Sequence, residues 1–481
     1  MAALAGLPRD LLTRVVVLAS SVEDLCALIC TARAFAGPPF PSLVEDALRE
    51  RARRVGGTVN PPAGWRGSAC AWLVFRERAR RMALSKVVAA STCFSAFVDA
   101  MGALWTCGTD PQRCGLLGHG EGVWTLEQPA RLQSLSSVRL ASVAAGDGHS
   151  LAVTETGAVY SWGHGADGCL GLGDNSSRLT PAKIEALREV RVVAVAAGFG
   201  HSLALSDLGN VFSWGNGDSG RLGQGDMECR LTPTPIEALA VHVVAVAAGA
   251  AHNLALTVAG AAYSWGHGGN GRLGHGRIGK RLTPTRIEAL AEPVVSVAAG
   301  EGNSFFVTEA GAVYSCGFAM YGEHGHGQEQ QNVCKLARIQ ALAETRVVAV
   351  SAGGYHTLAL TDAGTVFSWG NCISGCLGHG SDMGWPKQPG KNPLRPARIK
   401  ALDGVRLTAV EAGNGGHSDA TSFAVAANGM IFGWGSDESH ALGFATQLTY
   451  IPPGATAQSG GTRVSLAPRE LDALRCAAVE D

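Results

Sequence analysis

The stretch AAGFGHSLALSDLGNVFSWG, residues 196–215, recurs along the chain and decides its fold. Close copies stand at 144–163, 247–266, 298–317 and 351–370, and weaker copies stand at 89–108 and 411–435. The glycines that close successive copies are 51 to 65 residues apart. A turn-rich G-x-LG-x-G stretch follows each copy. Self-similarity at such a period predicts an array of small structural units rather than one continuous core.

Each unit has the pattern of short β-strands. Residues 192–195 (VVAV) are β-branched or small, residues 201–205 (HSLAL) alternate with period two, and residues 211–214 (VFSW) lie next to glycine. The Thr-Pro pair before Ile236 is expected to start a fourth strand, because proline can open a strand but not occupy its centre. Four strands repeated seven times predict a mainly β fold, a seven-bladed β-propeller over residues 86–481. The sequence leaves open whether the terminal strands share a blade.

The composition agrees with this prediction. Glycine accounts for 64 of 481 residues, about 13% against about 7% in ordinary chains, and only six of these glycines precede residue 86. The net charge is −1, which excludes nucleic-acid binding through bulk charge. The 13 cysteines show no disulfide spacing. No apolar run suits a signal peptide or a membrane span, so we expect an intracellular protein, cytoplasmic or nuclear.

The repeated pattern AAGxxHSLAL…GV(Y/F)SWG…LGxG resembles the regulator of chromosome condensation repeat family over about 390 residues. This resemblance implies a seven-bladed propeller. It implies less about function, since members include exchange factors for the small GTPase Ran, ubiquitin-ligase subunits, a plant UV-B photoreceptor and bacterial inhibitor proteins. The photoreceptor carries tryptophans beside the GxxH turn, where this chain has Phe199-Gly200, Ala250-Ala251 and Gly354-Tyr355. Photoreception is therefore disfavoured.

Three motifs that resemble chemical sites recur in phase with the repeat, and we expect them to be structural. The G-x-G-x-x-G segments at 163–168, 215–220 and 266–271 precede a proline-containing strand instead of a helix. Their glycines are expected to form positive-φ turns and not a nucleotide site.

The other two motifs are single residues at a fixed register. The histidines at one register are expected to bond to the backbone of a neighbouring blade rather than to a metal. The tryptophans of the SWG and GWG register are expected to pack the blades together. These residues are His149, His201, His252 and His356, and Trp162, Trp214, Trp265, Trp369 and Trp434.

No catalytic, cofactor or metal site is predicted. Glu323, His324 and His326 lie close in sequence, as do Cys372 and Cys376, but neither group has the paired spacing of a structural zinc site. The chain also lacks the G-x-S-x-G, P-loop and H-E-x-x-H motifs. The sequence thus predicts a protein that is not an enzyme.

Insertions into the repeat are the predicted partner-binding positions, because loops of a rigid scaffold accept added residues. Residues 381–393 and 444–461 are inserted relative to the other units. An aromatic side chain beside lysines suits the centre of an interface. The candidates for the propeller's partner face are Trp385, Lys387, Lys391 and Tyr450.

Residues 1–85 are predicted to form a small all-α domain, because their apolar residues recur at helical spacing behind capping boxes. The segment 7–35, LPRDLLTRVVVLASSVEDLCALICTARAF, resembles an F-box. The matching positions are Leu7, Pro8, Leu11, Leu12, Asp24, Leu25, Ile29, Cys30 and Phe35. In that family such helices bind the Skp-type adaptor of a cullin ubiquitin ligase. A helical cap packed on the propeller is the alternative.

Together these features predict a non-enzymatic scaffold. Its propeller holds a protein partner on one loop face, and its F-box-like segment links that partner to a cullin-type ubiquitin ligase. The alternative is a guanine-nucleotide exchange factor for a Ran-like small GTPase, although the chain lacks the basic N-terminal tail of the exchange factors it resembles. A third interpretation is an interaction scaffold with no link to a ligase. The identity of the partner and the oligomeric state are left open.

Overall fold

The computed structural model describes residues 86–318, 320–327, 332–371, 374–380, 393–414, 420–443, 449–450 and 462–475. These residues lie in one compact unit, Ala83–Glu480. The helical domain predicted for residues 1–85 lies outside them, and it stays a prediction together with its boundary. The same holds for the proposed adaptor-binding residues Leu7, Pro8, Leu11, Leu12, Leu25, Ile29, Cys30 and Phe35.

Seven antiparallel sheets, the blades, follow one another along the described chain. Blade 1 holds β1 (Val88–Ala90), β2 (Phe94–Val98), β3 (Leu104–Thr109) and β4 (Thr125–Arg131). Blade 2 holds β5 (Leu140–Ala145), β6 (His149–Thr154), β7 (Val159–Gly163) and β8 (Arg178–Lys183). Blade 3 holds β9 (Val192–Ala197), β10 (His201–Ser206), β11 (Val211–Gly215) and β12 (Arg230–Pro235). Blade 4 holds β13 (Val243–Ala248), β14 (His252–Thr257), β15 (Ala262–Gly266) and β16 (Arg281–Arg286).

The remaining blades keep this order, and the last one gains a strand. Blade 5 holds β17 (Val294–Ala299), β18 (Asn303–Thr308), β19 (Val313–Gly317) and β20 (Val333–Arg338). Blade 6 holds β21 (Val347–Ala352), β22 (His356–Thr361), β23 (Val366–Gly370) and β24 (Ala397–Arg398). Blade 7 holds β25 (Leu407–Ala412), β26 (Thr421–Ala426), β27 (Met430–Ser436), β28 (Thr449–Tyr450) and β29 (Thr462–Arg475), with β29 between β27 and β28.

The helical elements of the described residues are short 3₁₀ turns, each of which follows the third or the fourth strand of a blade. Their bounds are Gln133–Leu135, Ala166–Gly168, Glu185–Leu187, Asp218–Gly220, Gly269–Gly271, Gln340–Leu342 and Lys400–Leu402. In this part of the chain, no helix is long and apolar enough to span a membrane.

The blades form a closed ring. Each one packs against the next in chain order, and β1 of blade 1 lies against β25 and β26 of blade 7. Phe97 and Phe423 join these two blades with an edge-to-face contact, their ring centroids 5.4 Å apart. The seven-bladed propeller expected from the sequence is therefore confirmed. Each blade is built from its own stretch of chain, which settles how the ring closes.

Burial explains the different composition of the strands. The second strand of each blade is buried along its whole length, as in β10, because neighbouring blades cover both of its faces. The fourth strand is the exposed outer edge, as in β12. Thr232-Pro233 was expected to start that strand, but β12 begins at Arg230 and contains the pair. Proline is tolerated there because an edge strand leaves amide positions unpaired, and the β11–β12 register is irregular between Ser213 and Gly215.

Candidate partner-binding face

Buried tryptophans join each blade to the blade before it. Trp214 is 0% exposed, and its indole Nε1 donates to the carbonyl of Cys169 in blade 2 at 2.8 Å. The other members of the register make the same bond at 2.7 to 3.1 Å. They are Trp162 to Leu116, Trp265 to Arg221, Trp369 to Glu323 and Trp434 to Cys376. The predicted packing role of these tryptophans is confirmed.

Two cysteines take this register in the blades that lack a tryptophan there. Cys316 Sγ donates to the carbonyl of Arg272 at 3.5 Å. Cys107 Sγ donates to the carbonyl of Ala441 at 3.5 Å, and this bond connects blade 1 to blade 7. Seven donors therefore follow one another around the ring, each bonded to a carbonyl of the preceding blade.

The register histidines form a second set of interblade bonds. His149 Nε2 lies 2.8 Å from Ser202 Oγ of the next blade, and that hydroxyl donates to the Cys169 carbonyl at 2.8 Å. The same bond joins His201 to Asn253, His252 to Ser304 and His356 to Ser422, at 2.7 to 2.9 Å. The interblade bond is thus confirmed, but the prediction of a backbone acceptor is wrong. A side chain of the next blade accepts the bond and passes it on to a carbonyl.

Burial keeps these histidines neutral. Desolvation lowers the pKa of His149 and of His356 to about 4 and that of His201 to about 3, and it holds the pKa of His252 well below the ordinary value of 6.5. A charged imidazole in this position would lose its hydration without gaining an anion. The histidines therefore serve the ring as uncharged hydrogen-bond donors.

The G-x-G-x-x-G segments form the loop that leaves the third strand. In segment 215–220, Gly215 and Gly220 have φ of 100° and 75°, in the left-handed region that favours glycine. The middle residue, Gly217, has φ of −93°, but a Cβ there would collide with the Glu228 carbonyl oxygen. The expected positive-φ turns are confirmed at the outer glycines, while close backbone packing explains the central one.

Glu323, His324 and His326 also have structural surroundings. His326 Nε2 lies 3.0 Å from Ser315 Oγ, and Ser315 Oγ donates to the His324 carbonyl at 2.7 Å. Glu323 is buried, and one carboxylate oxygen accepts the Tyr321 amide at 2.8 Å. Burial raises the pKa of Glu323 to about 7. Within the described ranges, no group of three or more His, Cys, Asp or Glu side chains could hold a metal ion.

The side chains that differ most from one repeat to the next lie on one face of the ring. The start of the second strand pairs with the end of the third, as His201 does with Gly215, so the loops at these ends lie at the same edge of each sheet. We call the face formed by the turns between first and second strands and the loops between third and fourth strands the loop face. Neighbouring blades contact each other across it, since Asn216 Nδ2 donates to Asp167 Oδ2 at 2.8 Å.

The loop face carries aromatic side chains at the turns that precede the register histidines. Phe199 is 38% exposed in blade 3. In blade 6 the half-buried Tyr355 packs edge to face against Tyr321 of blade 5, with ring centroids 5.6 Å apart. Tyr355 is also hydrogen-bonded to the Glu301 carboxylate. Burial is the main cause that raises the pKa of the Tyr355 hydroxyl, and the negative charge of Glu301 raises it further. Fixed aromatic rings of this kind are typical of interface centres.

Cationic side chains stand beside the aromatic ones. Arg221 and Arg272 hold equivalent positions in the loops of blades 3 and 4, and both are half-buried. Arg272 Nη1 donates to the Glu301 carbonyl of blade 5 at 3.1 Å. Sequence reasoning missed these two arginines, although one signal was available: the residue between Gly and Leu in the G-x-LG stretch changes its chemical type from unit to unit.

The partner-face residues predicted from the insertions are placed differently. Trp385, Lys387 and Lys391 lie outside the described residues, so they stay a prediction. Tyr450 belongs to β28, whose backbone pairs with β29 at Thr462. The role of Tyr450 on the partner face therefore stays a prediction as well.

Comparison with known proteins places these features in a wider group. Models of the regulator of chromosome condensation (RCC1) repeat match residues 156–205, 209–256, 259–307 and 363–418, and a second model of that repeat matches 140–169, 192–221, 243–272 and 347–372. The chain is 34% identical over 347 residues to the ultraviolet-B receptor UVR8 of Arabidopsis thaliana, covering 72% of this chain and 74% of the receptor.

Two further similarities concern larger or more distant proteins. The E3 ubiquitin-protein ligase HERC2 of Homo sapiens is 34% identical over 358 residues, which are 73% of this chain but 7% of that ligase. The solved structure of Prp20p from Saccharomyces cerevisiae has a TM-score of 0.65 and 25% identity, and the match covers 78% of this chain and 87% of Prp20p. That structure is described together with the binding of Prp20p to Gsp1p and histones.

Proposed function

Because the chain belongs to the regulator of chromosome condensation repeat family, we propose that it is a non-enzymatic scaffold whose loop face binds a protein partner. The observation that carries this proposal is the exposed and half-buried set of aromatic and arginine side chains on one face of a closed ring. Tyr and Arg are enriched among the residues that dominate the binding energy of interfaces, and aromatic side chains such as Phe are enriched at interface cores. A rigid ring also keeps the free and bound surfaces alike.

The relatives support a binding role in general terms. Prp20p is described with its binding to Gsp1p and histones, and UVR8 is named as a receptor. The propeller is the region shared with this chain, so we extend protein binding, but not these particular partners, to it. An intracellular place of action, cytoplasmic or nuclear, belongs to the same proposal.

We further propose that the F-box-like segment at residues 7–35 links the bound partner to a cullin-type ubiquitin ligase through a Skp-type adaptor. The support is the sequence pattern of apolar helix positions at Leu11 and Leu25 and the LP pair at residues 7 and 8. The likeness to HERC2 does not bear on this link, because the shared residues are only 7% of that ligase.

Paired substitutions on opposite faces test partner binding. We expect full-length protein carrying Phe199→Ala and Tyr355→Ala to lose the proteins that the wild-type chain retains in affinity purification. Met101→Ala is the matched control, because Met101 is 70% exposed in the β2–β3 turn at the opposite edge of its sheet. Equal retention by both variants would show that the loop face is not the binding surface.

Co-purification with a Skp-type adaptor tests the ligase link. We expect Leu11→Asp combined with Leu25→Asp to abolish it, since a buried carboxylate would disrupt an apolar helix interface. Thr13→Asp lies in the same segment outside the matching positions and should leave binding intact. Full binding by the double variant would refute the link and leave the plain interaction scaffold.

The exchange-factor alternative is favoured by the structural likeness to Prp20p, a protein that binds Gsp1p. A nucleotide-release assay with a panel of small GTPases decides it. Acceleration of release by the full-length chain would replace the scaffold proposal, and unchanged release rates would remove the alternative.

A further inference from the structure

Two arginines and one histidine converge on the loop face between blades 3 and 4. Arg221 and Arg272 follow the short 3₁₀ turns Asp218–Gly220 and Gly269–Gly271, and His267 follows β15. Burial is the largest cause that lowers the pKa of His267, and the charges of Arg272 and Arg221 lower it further. The three side chains are therefore close enough to interact. We refer to these residues as the cationic cluster.

Backbone contacts hold the cluster in place. Arg221 Nε donates to the Asp218 carbonyl and Arg272 Nε to the Gly269 carbonyl, each at 3.0 Å. Arg272 Nη1 is fixed by a third carbonyl, that of Glu301. Guanidinium groups anchored in this way have already lost much of their rotamer freedom, so an incoming ligand encounters a preorganised fork of donors.

The charge of the cluster is poorly compensated. Burial lowers the pKa of both guanidinium groups, although the charges of Asp218 and Asp167 oppose this for Arg221 and that of Glu301 opposes it for Arg272. In the residues that the structure describes, neither guanidinium forms an ion pair within 4.0 Å.

Two arginines on the outer strands of blades 2 and 3 form ion pairs instead. Arg178 pairs with Asp174 at 2.7 Å, and Arg230 pairs with Asp226 at 2.6 Å. Arg221 and Arg272 thus differ from these two arginines, since neither forms such an ion pair among the described residues. A half-buried guanidinium with unused donors gains more from an added anion than a hydrated or paired one does.

We propose that the cationic cluster binds the carboxylate of an acidic side chain on the protein partner. This inference rests on the proposed function and specifies the chemistry of the partner's contact. The fork of Arg221 donors matches the two oxygens of a carboxylate, and Arg272 and His267 add donors beside it.

The flanking charges limit what can bind there. Asp167, Asp218 and Glu301 are close enough to influence the arginines, so they would repel a long run of negative charge. A nucleic-acid backbone carries such a run along its whole length. An isolated Asp or Glu on a mixed-charge protein surface fits between these carboxylates.

The test uses full-length protein and four labelled dodecapeptides of glycine and serine that differ at two positions only. These positions carry glutamate, glutamine, phosphoserine or lysine, and binding is measured by fluorescence polarisation at 50 mM salt. We expect the glutamate peptide to bind at least tenfold more tightly than the glutamine and lysine peptides, with the difference reduced at 500 mM salt because salt weakens ionic contacts.

The variant Arg221→Gln with Arg272→Gln should remove the preference for glutamate. Arg230→Gln is the matched control, because it also removes an arginine from blade 3 but one that is already paired with Asp226. If the double variant unfolds, Arg221→Gln alone should still lower the preference several-fold, and competition by N-acetyl-glutamate amide should displace the glutamate peptide from wild-type protein.

Three results would overturn the inference. The first is equal affinity for the glutamate and glutamine peptides, the second is a preference kept by the double variant, and the third is binding of the phosphoserine peptide alone. The outcome is separate from that of the proposed function. A partner lost with Phe199→Ala and Tyr355→Ala but kept with both arginine substitutions would preserve the scaffold and refute only the carboxylate contact.

Discussion

The buried histidines should make the propeller sensitive to acid. An unfolded histidine binds a proton near pH 6.5, whereas His149 and His356 in the fold do so only near pH 4 and His201 only near pH 3. Protons therefore bind preferentially to the unfolded chain as the pH falls below 6.5. The stability that these neutral side chains contribute is fully present above that pH and is lost progressively down to the folded pKa.

The size of this change in the free energy of unfolding depends little on the pKa of the folded histidine, provided that this pKa lies well below 5. Between pH 7.5 and pH 5.0, each of these three histidines should lower the free energy of unfolding by about 2 kcal/mol, or about 6 kcal/mol together. His252 should act in the same direction, since burial also holds its pKa well below the ordinary value.

The substitution His201→Asn isolates one of these contributions. Asparagine occurs naturally at this register as Asn303, so the change introduces a side chain that the repeat already accommodates. We expect a loss of about 1 to 3 kcal/mol at pH 7.5 from the altered bond to Asn253. When the pH falls from 7.5 to 5.0, however, the free energy of unfolding of the variant should decrease by about 2 kcal/mol less than that of the wild type, because the variant lacks this one titrating histidine.

Urea titrations followed by tryptophan fluorescence at the two pH values measure both quantities. His164→Asn is the control, because that side chain is exposed on the loop face. An identical loss of stability with pH in wild-type and His201→Asn protein would refute the reasoning, since His201 would then titrate alike in the folded and unfolded chains.

Other contacts of the ring lead to further predictions. Trp214→Phe removes the indole donor to blade 2 and should lower the free energy of unfolding by about 1 to 3 kcal/mol in urea titrations; wild-type stability would show that the bond is dispensable. Gly217→Ala should lower the melting temperature because its Cβ meets a carbonyl oxygen, whereas Gly200→Ala should not, since its nearest neighbour is a side-chain carbon at 3.6 Å. Burial raises the pKa of the Cys107 thiol, so iodoacetamide followed by mass spectrometry should modify the exposed Cys229 in native protein and Cys107 only after unfolding. Equal modification rates would contradict this assignment.

The fold was predictable because the repeat carries its strands, turns and tryptophans in every unit. The hydrogen-bond partners of these residues could not be predicted, because each partner lies in the neighbouring blade and about 50 residues away along the chain. For His201 the sequence indicated an interblade bond, but only the ring shows that the acceptor is Asn253. The histidine bond is missing between blades 1 and 2, because Phe94 takes the histidine register in blade 1, and the Ser150 hydroxyl of blade 2 has no hydrogen-bond partner among the described residues.

The loop face was harder to predict because one repeat position serves two purposes. The backbone carbonyl of Arg221 accepts bonds from Trp265 and Asn253 of the next blade, and the equivalent carbonyls of Cys169 and Glu323 do the same in their blades. The ring thus uses the carbonyl in every case and leaves the side chain free to vary between arginine, cysteine and glutamate.

A residue that makes the interblade bond with its backbone carbonyl can change its side chain, and so acquire a binding role, without losing that bond. Because the backbone of such a residue forms the ring while its side chain contacts the partner, the repeat pattern identifies the propeller but does not indicate the partner. This division of roles also implies that substituting Arg221 or Arg272 should change binding with little effect on stability, whereas substituting the donor Trp265, which bonds to the Arg221 carbonyl, should change stability first.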